Sequence, residues 1–102
     1  MKYKLVAQWR SDSMASYDAM IRTESALCDL LTDQHSVDGH DLGAGEVNIF
    51  VDTDNVQEAY AEVKAILLAE GRWDGVRIAY RPRLGDQYSI LWPESLREFR
   101  VS

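Results

Sequence analysis

The sequence predicts an α+β fold in which one antiparallel sheet carries two helices on a single face. Three observations lead there. Two long segments place apolar residues at helical spacing, five shorter ones alternate apolar and polar residues with period two, and their order is β-α-β-β-α-β-β. Two amphipathic helices each need an apolar partner, and one face of one sheet can serve both.

Residues 2–10 are predicted as the first strand, with Tyr3, Leu5, Ala7 and Trp9 on one face and Lys2, Lys4, Val6, Gln8 and Arg10 on the other. Ser11, Asp12 and Ser13 offer side-chain oxygens for a helix N-cap. The stripe Tyr17, Met20, Ile21, Leu27, Cys28 and Leu31 then sets the first helix at Met14 to Thr32. Residues 34–42 alternate poorly around Gly39, which reads as an edge or bulged second strand. Gly43-Ala44-Gly45 turns the chain into the third strand, Glu46 to Asp52, where Val47, Ile49 and Val51 oppose Glu46, Asn48, Phe50 and Asp52.

Thr53-Asp54-Asn55 caps the second helix, and Asn55 with Glu58 has the spacing of a capping box. Val56, Ala59, Tyr60, Val63, Ile66 and Leu67 form its apolar stripe, and Gly71 supplies a left-handed C-cap. Asp74-Gly75 leads into the fourth strand, Val76 to Arg83, with Val76, Ile78 and Tyr80 inward and Arg77, Ala79, Arg81 and Arg83 outward. Pro82 has no N–H for a ladder, so pairing stops there or the end lies at an edge. Leu84-Gly85-Asp86 turns into a fifth strand, Gln87 to Trp92, and Pro93 is placed to open a short C-terminal helix. The order is that of a ferredoxin-like βαββαβ two-layer sandwich with an extra C-terminal strand, one domain over residues 1–102. The first and third strands are then central, and one sheet face is expected to stay uncovered.

The chain's 102 residues are 46% hydrophobic and 27% charged, enough for one core and too few for two domains. Apolar runs reach five residues at most, so no membrane-spanning helix is expected, and residues 1–10 lack the apolar block of a signal peptide. The single cysteine, Cys28, has no internal disulfide partner, which suits a reducing cytoplasm. A net charge of −6 opposes general nucleic-acid binding. Its distribution says more. No lysine or arginine lies between Arg22 and Lys64, whereas ten acidic residues do: Glu24, Asp29, Asp33, Asp38, Asp41, Glu46, Asp52, Asp54, Glu58 and Glu62. From Arg72 onward arginines outnumber acids, an asymmetry that either pre-orients a partner or a second copy, or serves solubility alone.

Side-chain parity defines a candidate surface on the uncovered face: Lys4, Val6 and Gln8, then Asn48 and Phe50, then Arg77, Ala79 and Arg81, with Asp38, His40 and Leu42 from the second strand. Trp73, Tyr88 and Trp92 either extend it or fill a small core of their own. His35 and His40 are metal-ligand types near Asp38 and Asp41, but opposite parity along a strand parts them, so no metal and no cofactor is expected. His40 alone is the candidate general base if the chain is an enzyme, against a structural histidine on an edge strand. Arg77 and Arg81 share a side of the fourth strand and either clamp a carboxylate or pair across the sheet. Cys28, on the apolar stripe without a nearby base, reads as a small buried hydrophobe. Gly39, Gly43 and Gly45 lack the spacing of a phosphate loop and serve turns instead.

The segments Gly39-His40-Asp41-Leu42-Gly43-Ala44-Gly45-Glu46-Val47-Asn48-Ile49-Phe50 and Tyr88-Ser89-Ile90-Leu91-Trp92-Pro93 resemble a bacterial family of small stand-alone ferredoxin-like proteins. That resemblance implies the fold and a bacterial cytoplasmic setting and brings no activity with it. At the level of fold the chain is also similar to dimeric α+β barrel proteins such as antibiotic-biosynthesis monooxygenases, none of whose catalytic residues carries over. The expectation is a cytoplasmic, non-enzymatic binding module. It would form a homodimer or meet a protein partner through Gln8, His40, Asn48, Phe50, Arg77 and Arg81, with no nucleic acid and no membrane involved. A cofactor-independent enzyme or binder of a small acidic ligand is the alternative, with Arg77 and Arg81 on a carboxylate and His40 moving a proton. An acidic immunity- or inhibitor-like protein is the third.

Overall fold

The computed structural model describes residues 1–10 and 14–101. The elements follow the expected order: β1 (Tyr3–Arg10), α1 (Met14–Leu30), β2 (His35–Gly43), β3 (Glu46–Thr53), α2 (Val56–Ala69), β4 (Arg77–Pro82) and β5 (Ser89–Trp92). They build one five-stranded sheet in the order β2-β3-β1-β4-β5, antiparallel throughout, which is the ferredoxin-like sandwich with its extra strand. The cap expected at Ser11, Asp12 and Ser13 lies outside the described residues.

The core forms where parity puts it. Leu5, Ala7 and Trp9 of β1, Val47, Ile49 and Val51 of β3 and Ile78 of β4 pack against Met20 and Leu27 of α1 and Ala59, Val63, Ile66 and Leu67 of α2. Removing such side chains from water supplies the main drive for folding. The ends of α2 follow local chemistry. Asn55 Oδ1 accepts from Glu58 N–H at 3.1 Å, and at the other end Gly71 N–H donates to Leu68 O and Arg72 N–H to Leu67 O. With Gly71 at φ +70°, these two bonds make a Schellman cap. The β2–β3 loop has two residues, Ala44 at φ +52° and Gly45 at +76°, the pattern of a type I′ hairpin.

Trp73 and Trp92 join the core side of the sheet. Their ring centres lie 5.3 Å apart, with the Lys64 ammonium over both. Three other expectations give way. Cys28 is exposed rather than buried, because the inward stripe of α1 runs through Met20, Thr23 and Leu27. No helix follows Pro93: Leu96 N–H closes a turn onto Pro93 O, and the chain beyond it is irregular. So short a segment forms only a marginal helix alone, whereas laid along the sheet it buries apolar surface.

The third concerns the face expected to be open. It is roofed by that tail, residues 93–101. Gln8 Nε2 donates to Arg100 O at 2.7 Å, and the Phe99 ring sits 5.0 Å from that of Tyr88. Beneath, Val6 and Ala79 are fully buried, and Gln8 and Asn48 are 1% exposed. The sheet thus has two cores, a large one under the helices and a small one under the tail.

Candidate functional site

The second face shows the expected residues from β1, β3 and β4. Gln8 is in register with Asn48 on one side and Arg77 on the other, Val6 with Phe50 and Ala79, and Lys4 with Asp52 and Arg81. At its centre Gln8 Nε2 uses both of its N–H groups, one to Asn48 Oδ1 at 2.9 Å and one to Arg100 O. That is how a buried amide avoids the cost of an unmet donor. Phe50 is half-buried with the Lys4 ammonium 5.4 Å from its ring centre, and Lys4 also pairs with Asp38 and Asp52. Lys4 holds the Asp38 carboxyl below its ordinary value, by hydrogen bond and by charge.

The two arginines have partners. Arg77 Nη2 donates to Glu46 Oε2 at 2.7 Å. Arg81 Nη1 donates to the carbonyls of Pro82, Arg83 and Gly85, so its guanidinium holds the β4–β5 loop. Near the tail's end a polar pocket of about 260 Å³ is lined by Ala44, Glu46, Arg77, Glu98 and Arg100.

β2 departs from the expected register. A bulge between Val37 and Gly39, with Gly39 at φ +109°, shifts the strand by one residue. Every side chain beyond it changes face. His40 pairs with Ile49 and Leu42 with Val47, so both lie on the helix side, while Asp41 pairs with Asn48. His40 therefore leaves the proposed surface and never meets Arg77 or Arg81. Its Nδ1 lies 3.0 Å from both oxygens of Glu24 on α1, and its ring meets Tyr17 edge to face at 6.2 Å.

The bulge also overturns the separation of His35 from His40 by parity. Both stand on the helix side of β2, His35 beside Glu58 and Glu62 and His40 beside Glu24. The cluster at His35 was not singled out from the sequence. His35 has a fully buried side chain, and Nε2 lies 3.2 Å from Glu62 Oε2 and 3.4 Å from Glu58 Oε1. Glu58 and Glu62 stand four apart on α2 and so share a helix face. The signal was available in principle: β2 begins beside the end of β3, where α2 starts, so an i, i+4 carboxylate pair on the first turns of α2 must face His35.

Local bonding orients each member. The amide N–H that a capping box would give to Glu58 goes to Thr53 Oγ1 instead, at 2.9 Å, leaving the Glu58 carboxylate to turn toward His35. Glu62 is fixed by Thr32, whose N–H and hydroxyl donate to its two oxygens at 2.9 and 3.0 Å. The Thr32 N–H is the chief cause that holds the Glu62 carboxyl below its usual value.

Cys28 sits where chemistry is disfavoured. Partial burial, then the charges of Glu24 and Asp29, push its thiol above the ordinary value, away from the nucleophilic thiolate. No helix of the described residues is long and apolar enough to cross a membrane. No protein-family model, curated protein or solved structure matches the chain. The functional reading therefore rests on the chemistry of these residues.

Proposed function

We propose that the chain is a non-enzymatic binding module that self-associates by exchanging its C-terminal tail with a second copy. The observation that carries this reading is the bond from buried Gln8 to the main-chain carbonyl of Arg100. The seat formed by Gln8, Asn48, Val6 and Ala79 meets a peptide backbone there, and any chain ending in the same residues offers the same contacts. A second copy does so by definition. Exchange of an identical segment replaces each contact with its equal and so costs little beyond association. The segment in question is irregular and follows a short four-residue strand, β5. Charge supports the pairing: the acidic stretch from Glu24 to Glu62 on one copy attracts the arginine-rich stretch from Arg72 on another. Phe50 and Arg81 border the seat and Arg77 closes its end, while His40 takes no part.

A binder of small carboxylates is the second reading, favoured by the meeting of Arg77 and Arg100 in the pocket at the tail's end. Glu46 already occupies Arg77, so an acidic ligand there must displace it.

Light scattering on the full chain from micromolar to millimolar concentration tests the first reading. Twice the 11.6 kDa chain mass is expected at the upper end. Deleting Glu94 and Ser95 removes the turn that folds the tail back on its own sheet, and this variant is expected to be dimeric throughout. Monomer at every concentration in both proteins overturns the proposal.

A further inference from the structure

His35, Glu58 and Glu62 bring three ligand-type atoms together under α2, and the hydrogen bonds behind them orient the imidazole. Thr53 Oγ1 has a single hydrogen, which it donates to Asn55 O at 3.1 Å. The same oxygen accepts Asn55 N–H at 2.9 Å and lies 2.8 Å from His35 Nδ1. With its hydrogen committed elsewhere, Thr53 can only accept from His35, so Nδ1 carries the proton. The lone pair of neutral imidazole is then on Nε2, the atom that faces both carboxylates.

Nε2 is buried without a well-aligned hydrogen bond, and the Glu62 and Glu58 carboxylates lie 3.2 and 3.4 Å from it. Two carboxylate oxygens and the imidazole nitrogen, all within 4.8 Å of one another, call for a positive charge among them, supplied by a proton on Nε2 or by a bound cation.

We propose that His35 Nε2, Glu58 Oε1 and Glu62 Oε2 bind a divalent transition-metal cation of the zinc type. At bond lengths of about 2.1 Å, the N···O separations of 3.2 and 3.4 Å correspond to N–metal–O angles of roughly 100° and 110°, and the exposed Glu58 side chain is free to close on the ion. Imidazole selects zinc and its neighbours over magnesium or calcium, which prefer all-oxygen sites. The outer shell has the form such sites use: Nδ1–H of the ligating histidine is held by Thr53, and the ligating Glu62 by Thr32. Glu58, whose side chain is 42% exposed, leaves a path for entry and a fourth position for water.

The site lies under α2, away from the tail seat, so it stands or falls separately from the proposed self-association. Titration of Zn²⁺ into the chelator-treated full chain, followed by calorimetry, is expected to show one tight site. In ¹⁵N spectra Zn²⁺ should move the His35 Nε2 resonance while the Nδ1 proton persists. Glu58→Gln is expected to weaken binding by about a hundredfold, at least the loss that follows removal of an outer-shell partner. The apo protein's melting temperature should hardly change, which keeps the test valid even if Glu62→Gln disturbs the Thr32 anchor. Glu24→Gln, beside the other histidine, should leave affinity unchanged. The proposal is overturned by the absence of a Zn²⁺-dependent change at His35, or by equal affinity in Glu58→Gln.

Discussion

Replacing Gln8 by alanine tests the tail's seat with a magnitude that follows from the bonds. The side chain is 1% exposed and donates to Asn48 Oδ1 at 2.9 Å and to Arg100 O at 2.7 Å. A net contribution near 1 kcal/mol per bond, plus the cost of leaving two sheltered acceptors unmet, gives about 2–4 kcal/mol of lost stability. Release of the tail lets water reach those acceptors and keeps the loss toward the lower end. With a urea dependence of about 1–1.5 kcal/mol per molar for a domain this size, the unfolding midpoint should fall by roughly 2 M. Arg100→Ala is the matching control. Residue 100 contributes its carbonyl, so trimming its exposed side chain should cost under about 0.5 kcal/mol. Amide exchange at residues 93–101 should quicken in Gln8→Ala and stay slow in Arg100→Ala. A midpoint unchanged in Gln8→Ala, or equal losses in the two variants, would mean that this amide does not hold the tail's backbone.

Three further outcomes are expected. Ala44→Asn puts at φ +52° a residue that tolerates the left-handed region better than alanine does, and should raise stability by about 0.5–1 kcal/mol, or about 4 °C in melting temperature. Gly71→Ala, at φ +70° with open space for a Cβ, should cost about 1 kcal/mol from backbone strain alone, read as a urea midpoint shift. Asp38 has a folded-state value below its unfolded one. Its contribution is therefore present above about pH 4 and disappears as pH falls through the lowered value. Wild type should melt higher than Asp38→Asn at pH 6, by less in high salt, and the difference should vanish in strong acid. A difference that persists there would contradict the Lys4–Asp38 pairing.

Periodicity made most of the fold legible because β1, β3 and β4 are regular. Leu5, Val47 and Ile78 fall on the helix side and Gln8, Asn48 and Arg77 on the other, as alternation requires. The caps of α2 were equally readable, since Asn55 and Gly71 act on neighbours a few residues away. The failures share a cause in contacts distant along the chain. One extra residue at the β2 bulge moved His40 and Leu42 across the sheet, and local sequence shows only that Gly39 permits a bulge, not where the register slips. The tail's course depends on Val6 and Ala79, far upstream of it, so Pro93 read locally as a helix start. Cys28 falls beside the inward line of α1 by a fraction of a turn, because buried Thr23 takes part in that line; its hydroxyl back-bonds to Ala19 O and accepts from Arg72. The His35 cluster combines both problems: Glu58 and Glu62 resemble solvated helix charges until β2 is placed against them.

Filtered nuclear Overhauser spectra on an equal mixture of ¹³C-labelled and unlabelled chains, at the concentration where mass doubles, address tail exchange without any substitution. Cross-peaks between the labelled Tyr88 side chain and the unlabelled Phe99 ring are expected across chains. If those contacts arise only within a chain while the mass is doubled, the copies meet elsewhere and the account of this face as a shared seat is wrong.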